Sequence, residues 1–445
     1  MTLDPGGIAR TPNTEVTASS GLGARKTTRG SPLAARILLL VAALAAVGLY
    51  LRASARVYRA FLWAENATLE NLKTAARLEP SDAELRYRIG RYSLLMQDFP
   101  RAIDEMRAAI ALNPFDARYW LDLASAYLAS DDPAETQQAL KRALEADPTM
   151  PDVVWRVANY ELVQGDTAVA MQRFHTLVEN DPESLMATLN VCWRATHDPD
   201  LITEEVLPQR PDSHFRFINF LRNKRSPEAP AKVWSHLIAL RRPFPVQLAF
   251  PYIDHLIDQG EFAQAEEAWA QLAIANPEFR GYLPSDNLVV NGSFELDLLN
   301  GGLEWRYEAQ QGVSVLVDDT RAHSGNRSLA ITFEGAPARA GVFQFVPVRG
   351  NTRYQFSGFM MAEDLETISP PRFQVVGLHS RKSYLLTDGV TGSTGWRELQ
   401  GEFTTDPEDD LLMVHIVRVP QRLIRGKLWV DDLKIVAKTR SGESQ

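Results

Sequence analysis

The sequence predicts a multidomain chain: a single N-terminal transmembrane helix, an α-solenoid of helical hairpins, then an all-β sandwich. Three observations carry this prediction. Fifteen uncharged, nearly all apolar residues run from Ile37 to Leu51. Pro80, Pro114, Pro148 and Pro182 recur every 34 residues, and a fixed period of that size marks a repeat architecture. From Gly281 to Ser285 helical periodicity stops, and short alternating stretches separated by turn residues take over.

Composition bounds the rest. The 445 residues are 45% hydrophobic and 23% charged, which is ordinary for globular protein. A net charge of −9 argues against a nucleic-acid partner. The one cysteine, Cys192, excludes an intramolecular disulfide and a cysteine metal cluster, and reads as a small buried apolar residue.

Residues 1–32 are rich in Gly, Thr, Ser and Pro, with Arg10, Arg25, Lys26 and Arg29, and read as a disordered basic tail. The apolar run is bounded by Arg36 and Arg52, and extends to 19 residues if counted from Leu33, with Arg36 snorkelling. Residues 33–52 therefore read as a membrane anchor. A cleaved signal peptide is the alternative, since Ala53-Ser54-Ala55 mimics a cleavage site. Arg25, Lys26, Arg29 and Arg36 precede the span and Arg52, Arg56 and Arg59 follow it, a faint bias toward a cytoplasmic N-terminus. The expected placement is a bacterial inner membrane, single-pass, with the bulk periplasmic or otherwise outside the cytoplasm. Neither Pro nor Gly occurs between Arg52 and Glu79, so the span is expected to continue as helix into a half-repeat ending at Pro80. Ser81 with Glu84 supplies a capping-box signature for the next helix.

Within each period the same positions recur. Gly90, Ala124 and Ala158 fall mid-way along the first helix, where a close crossing needs no bulk. Met106, Leu140 and Phe174 fall on the second, where they fill the gap between neighbours. Beyond Pro182 the period decays and reappears at Pro277, behind Trp269 and Leu272. Residues 53–280 are thus assigned to one solenoid of about six hairpins, 281–285 to a linker, 286–437 to the sandwich and 438–445 to a disordered tail.

The spacing, with Trp120, Tyr127 and the small and proline positions, resembles the tetratricopeptide repeat family over residues 83–182. The departures are Arg86 in place of an aromatic, Thr136 in place of Ala, and Leu177 in place of Ala. In the C-terminal region five stretches resemble carbohydrate-binding modules with a galactose-binding-like jelly-roll fold. They are Asn287 to Glu295 followed by Trp305, Ala322 to Leu329, Tyr354 to Phe359, Gly395-Trp396, and Leu428 to Leu433.

These resemblances imply a helical groove for a protein or peptide partner and a sandwich that takes carbohydrate. They also imply structural calcium held by Glu295 and Asp432, hard oxygen donors that suit that ion. Sugar binding needs aromatic faces with polar neighbours; the candidates are Trp305, Tyr307, His379, Tyr384 and Trp396. Phe294, Phe356, Trp396 and Trp429 are also expected to serve as core.

No phosphate-binding glycine loop, dinucleotide fingerprint, His-Glu-x-x-His or Gly-x-Ser-x-Gly motif occurs. The pairs Glu204-Glu205 and Asp409-Asp410 read as solvated surface. No catalytic residue is assigned. The expectation is a non-enzymatic, membrane-anchored scaffold in cell-envelope polysaccharide assembly or export. A pure protein-interaction adaptor and a glycan-acting enzyme remain alternatives.

Overall fold

The computed structural model describes residues 32–65, 68–224 and 226–438. Of the tails assigned to 1–32 and 438–445, residues 1–31 and 439–445 lie outside the described residues. By compactness the chain divides into Met1–Ala146 and Asp147–Gln445. The division falls inside the helical region, so the sandwich shares a unit with the later helices.

In the first unit, α1 (Pro32–Glu65) carries the apolar run and is followed by α2 (Leu69–Leu78). The helix expected to run unbroken toward Pro80 instead ends at Glu65. Thr68 caps α2, its side chain accepting the Asn71 N–H at 3.3 Å. The last turns of α1 are therefore themselves the first helix of a hairpin. Ala60 and Ala64 pack on Leu72, Ala75 and Ala76 of α2, and Arg56 pairs with Glu79 at 2.7 Å. Then come α3 (Ala83–Leu95), α4 (Phe99–Leu112), α5 (Ala117–Ala129) and α6 (Pro133–Ala146). Asp82, not Ser81, caps α3: its carboxylate accepts the Glu84 and Leu85 N–H groups because the helix starts one residue later than the capping box requires. Gly90, Met106, Ala124 and Leu140 are all buried, as the repeat register requires.

The second unit continues with α7 (Pro151–Gln164), α8 (Thr167–Asn180), α9 (Leu185–Thr196), α10 (Pro199–Glu205), α11 (Pro211–Arg222), α12 (Ala229–Ala239), α13 (Phe250–Asp258) and α14 (Phe262–Ala275). Ala158 and Phe174 are fully buried in α7 and α8. The strict period is lost at α10, a short helix that packs on α12 and α8. Cys192 is buried, and desolvation pushes its thiol pKa up.

The stretch assigned to a linker is a brace. Pro277–Tyr282 forms a 3₁₀ turn whose Tyr282 carbonyl accepts the Trp269 indole N–H at 2.9 Å. The Tyr282 hydroxyl donates to the Asp297 carbonyl at 2.9 Å. Gly301 and Gly302 then approach the rings of Phe250 and Trp269 so closely that a Cβ at either would collide with them. Gly302 also has φ +60°, which favours glycine.

The sandwich has two five-stranded antiparallel sheets, built from β1 (Arg306–Tyr307), β2 (Val313–Asp318), β3 (Ser328–Pro337), β4 (Val342–Pro347), β5 (Arg353–Glu366), β6 (Arg372–Gly377), β7 (Ser383–Leu386), β8 (Gly392–Thr404), β9 (Leu411–Val417) and β10 (Leu423–Ala437). One sheet has the order β1-β4-β9-β6-β7, the other β2-β3-β10-β5-β8. Alternate residues such as Val342, Val346, Phe356, Phe373, Val414, Leu428 and Val430 fill the space between them. Asn287 pins the opening of this region to its last strand: its amide accepts the Ile435 N–H at 3.0 Å and donates to the Leu433 carbonyl at 2.9 Å.

Candidate functional site

Strand alternation decides what the outer face of the first sheet offers. In β4, Val342, Gln344 and Val346 are buried. Phe343 and Phe345 point the other way, half-exposed, with rings 5.5 Å apart in a T arrangement. Register carries the pattern across the sheet. Arg306, Phe343, His415, Gln374 and Leu386 form one row; Phe345, Met413, Val376 and Ser383 form the next. The His415 Nε2–H donates to the Gln374 amide oxygen at 2.9 Å, and the Gln374 amide nitrogen donates to Ser383 Oγ at 2.8 Å. Burial lowers the His415 pKa, so the ring is neutral at pH 7 and Nδ1 is an acceptor. Two aromatic rings beside a polar ladder can stack on apolar faces and bond hydroxyl groups.

The residues singled out from sequence do not assemble there. Trp305 is 1% exposed, packs 5.4 Å from Phe294 and donates its indole N–H to the Asn291 carbonyl at 3.1 Å. Its ring has no face left for a ligand, and it is a core residue. Tyr307 and Tyr384 also lean on the core between the sheets. The Tyr384 ring stacks on Phe403, and its hydroxyl donates to the Asp409 carboxylate while accepting the Asp406 N–H at 2.8 Å. His379 is exposed on the turn after β6, its Nδ1 3.0 Å from the Glu408 carbonyl. Of the expected core aromatics, Phe294 and Phe356 are internal. Trp429 is buried on the outside of the second sheet beneath Arg321, and Trp396 is half-exposed beside His323.

The acidic pair Asp409-Asp410 is not uniformly solvated. Asp410 is exposed, but Asp409 is fully buried. Asp409 accepts the His379 and Ser380 N–H groups at 3.1 and 3.0 Å, the Ser380 hydroxyl at 2.5 Å and the Tyr384 hydroxyl. Burial alone would raise its pKa; the hydrogen bonds outweigh burial and hold it below the usual carboxylate value.

Glu295 and Asp432 do converge, on one loop. Glu295 Oε1 accepts the Asn326 and Arg327 N–H groups at 2.7 and 3.0 Å, and the first of these chiefly lowers its pKa. Asp432 accepts the His323 Nδ1–H at 2.6 Å. Its neighbour Asp431 accepts the His323 and Ser324 N–H groups at 2.8 and 3.2 Å. Glu295 and Asp432 also border one cleft of about 240 Å³, with Asn291, Gly292, Ser293 and Lys434. The residues fit calcium in donor type, as two hard carboxylates steadied by N–H partners. Among the described residues no three His, Cys, Asp or Glu groups gather, so an ion there would draw its other oxygens from carbonyls and water.

Comparison with known proteins follows the same division. A tetratricopeptide repeat family model matches residues 69–117 and 87–151, and a carbohydrate binding domain model matches residues 286–417. No curated relative matches the sequence. Among solved structures, a CBM4 module is 15% identical, covering 34% of this chain and 99% of its own, with TM-score 0.27. The CBM22-1–GH10 modules of Clostridium thermocellum endo-1,4-β-D-xylanase 10B, complexed with xylohexaose, are 13% identical with TM-score 0.26. That match covers 36% of this chain and 30% of the xylanase chain. The first repeat domain of Spaghetti, bound to an HSP90 peptide, is 15% identical over 26% of this chain and 93% of its own, with TM-score 0.25. In these two stretches the chain carries tetratricopeptide repeats and a carbohydrate binding domain.

Proposed function

We propose that this protein is a membrane-anchored, non-enzymatic scaffold whose repeats hold a protein or peptide and whose sandwich holds a glycan in envelope polysaccharide assembly. The observation that carries the glycan reading is the outer face of the first sheet, where Phe343 and Phe345 lie beside the His415–Gln374–Ser383 ladder. Replacing Gln374 by Ala strips both hydrogen bonds from that ladder. In glycan-array and calorimetric binding to the full chain, it is expected to cost about tenfold or more in affinity with little change in melting. A Gln374→Ala chain that binds its glycan as tightly as the parent would refute the assignment of this face.

Anchoring is supported by α1, long and apolar enough to cross a membrane and exposed from Leu33 to Arg59. Its 34 residues reach about 51 Å, more than the ~30 Å hydrocarbon layer. The bulk lies outside the cytoplasm in this reading. Protease added to intact spheroplasts should digest the C-terminal region, and protection would reverse the orientation.

Glu295 and Asp432 would supply carboxylate oxygens to a structural calcium ion, which would cross-brace the loop at 323–327. Melting of the full chain should then rise with calcium relative to chelator, by up to about 2.7 kcal/mol of stability at a hundredfold excess over Kd. Glu295→Gln should remove most of that difference. Superimposable curves with and without the ion would eliminate the metal.

A further inference from the structure

Helix α5 carries Trp120, Leu123 and Tyr127 on one face, and both α4 and α6 pack on α5. That face borders a cleft of about 200 Å³, lined by the buried side chains of Ile110, Leu123 and Ala139 and by the rings of Trp120 and Tyr127. Both rings are held. The Trp120 indole N–H donates to the Pro114 carbonyl at 2.8 Å, and the Arg107 guanidinium lies 5.5 Å from the Tyr127 ring centroid. The Asp122 side of α5 is taken up separately, where the carboxylate accepts the Tyr87 hydroxyl of α3 at 2.8 Å.

The neighbouring hairpins fill the same position. One period of 34 residues earlier, Trp120 and Ala139 correspond to Arg86 and Glu105, an ion pair at 3.1 Å. One period later, Tyr127 and Ala139 correspond to Glu161 and Arg173, an ion pair at 2.8 Å. Ala139 is too short to reach across, so the space that a long charged side chain takes in those hairpins stays open here. The turn before α5 departs from the repeat as well. The residue after the repeat proline is Ser81, Thr149 or Glu183 in the other periods, but Phe115 in this one, and it is 83% exposed. The Asn113 side chain fixes the turn by accepting the Phe115 N–H at 3.3 Å. Both departures thus fall on one step of the repeat, an uncovered phenyl ring beside an aromatic-walled cleft. An apolar cavity of about 150 Å³ takes a benzene ring, so this cleft has room for a phenyl group.

We propose that the cleft receives Phe115 from a second copy of this chain, so that the repeats pair as a two-fold dimer. Because knob and cleft lie on the same step, a two-fold axis beside that step brings each Phe115 to the cleft of the other copy. Such a contact is isologous and closes at two copies. The incoming ring meets Trp120 and Tyr127, whose faces and edges suit the offset and edge-to-face arrangements that aromatic rings favour. The dimer surface is distinct from the sheet face proposed for glycan.

The test is sedimentation of the full chain in detergent over a range of protein concentrations. The parent should show a reversible monomer–dimer equilibrium. Phe115→Ala should weaken association about tenfold or more with an unchanged melting curve, since the ring is exposed in the single chain. Trp120→Arg combined with Ala139→Glu copies the Arg86–Glu105 pair into the cleft and should weaken association as much. Leu95→Ala, which trims a 77%-exposed leucine at the end of α3, should leave association as it was. With p-benzoylphenylalanine in place of Phe115, light should crosslink the chain to a second copy within α4 to α6. A parent that stays monomeric at every concentration would overturn the proposal. So would a dimer that survives both cleft and knob variants, which would put the pairing elsewhere, or a crosslink from position 115 to any other molecule.

Discussion

Phe294→Ala is expected to cost the Asp147–Gln445 unit about 3–5 kcal/mol, the range for truncating a fully buried aromatic ring. Phe294 is 0% exposed and packs on Trp305 in the core between the sheets. Its backbone is unusual for so bulky a residue, with φ +55°. The turn imposes this: the Phe294 N–H donates to the Asn291 carbonyl at 3.1 Å, and the Asn291 side chain bonds both backbone groups of Leu296 at 3.0 Å. A left-handed conformation costs a residue with a Cβ about 1–2 kcal/mol, a strain that alanine keeps and glycine sheds. Phe294→Gly should therefore be no worse than Phe294→Ala, the reverse of the usual order. Denaturant unfolding of the full chain, followed by amide exchange in β10, measures both. A Phe294→Ala chain as stable as the parent would mean the ring is not core. A glycine variant well below the alanine one would mean the φ is not enforced.

Periodicity made the frame of this protein legible, because a 34-residue repeat and a two-residue alternation each reflect one buried face. Small residues at 90, 124 and 158 fell where the pattern put them, and the short alternating stretches beyond Ser285 form strands. What periodicity does not report is which outward face stays open. Trp305 and Phe345 are both aromatic residues in the sandwich region, and only register separates the core residue from the surface one. The signal was present in β4, whose Val-Phe-Gln-Phe-Val alternation puts both phenylalanines on one side, but a buried Gln344 obscured it. Gln344 is buried because its amide takes both backbone groups of Val290, at 2.9 and 2.8 Å. Such a long-range pairing leaves no local trace. The buried state of Asp409 was hidden for the same reason, since its donors come from residues about thirty positions away.

Glu304 sets the second large effect, a pH dependence of stability. It is 0% exposed behind the residues that seat against Phe250 and Trp269. Burial pushes its pKa from 4.5 up to about 7, against the pull of hydrogen bonds from the Asn291 amide at 3.2 Å and the Leu299 N–H at 2.8 Å. An acid whose folded pKa is raised binds its proton more tightly in the folded state. Its contribution is therefore most favourable below about pH 4.5 and declines as pH rises to about 7, beyond which it is constant. The span corresponds to roughly 3 kcal/mol. His214 and His415, whose pKa values burial lowers, act with the opposite sign in part of the same window, so the parent slope alone is ambiguous. Glu304→Gln resolves it. Glutamine has the shape and neutrality of the protonated acid. The variant should match the parent near pH 5 and exceed it at pH 8, by up to roughly 3 kcal/mol in denaturant unfolding. Parallel stability curves for parent and variant from pH 5 to 8 would show that Glu304 is ionised in the folded chain throughout, and that this carboxylate is not the group whose proton the fold holds.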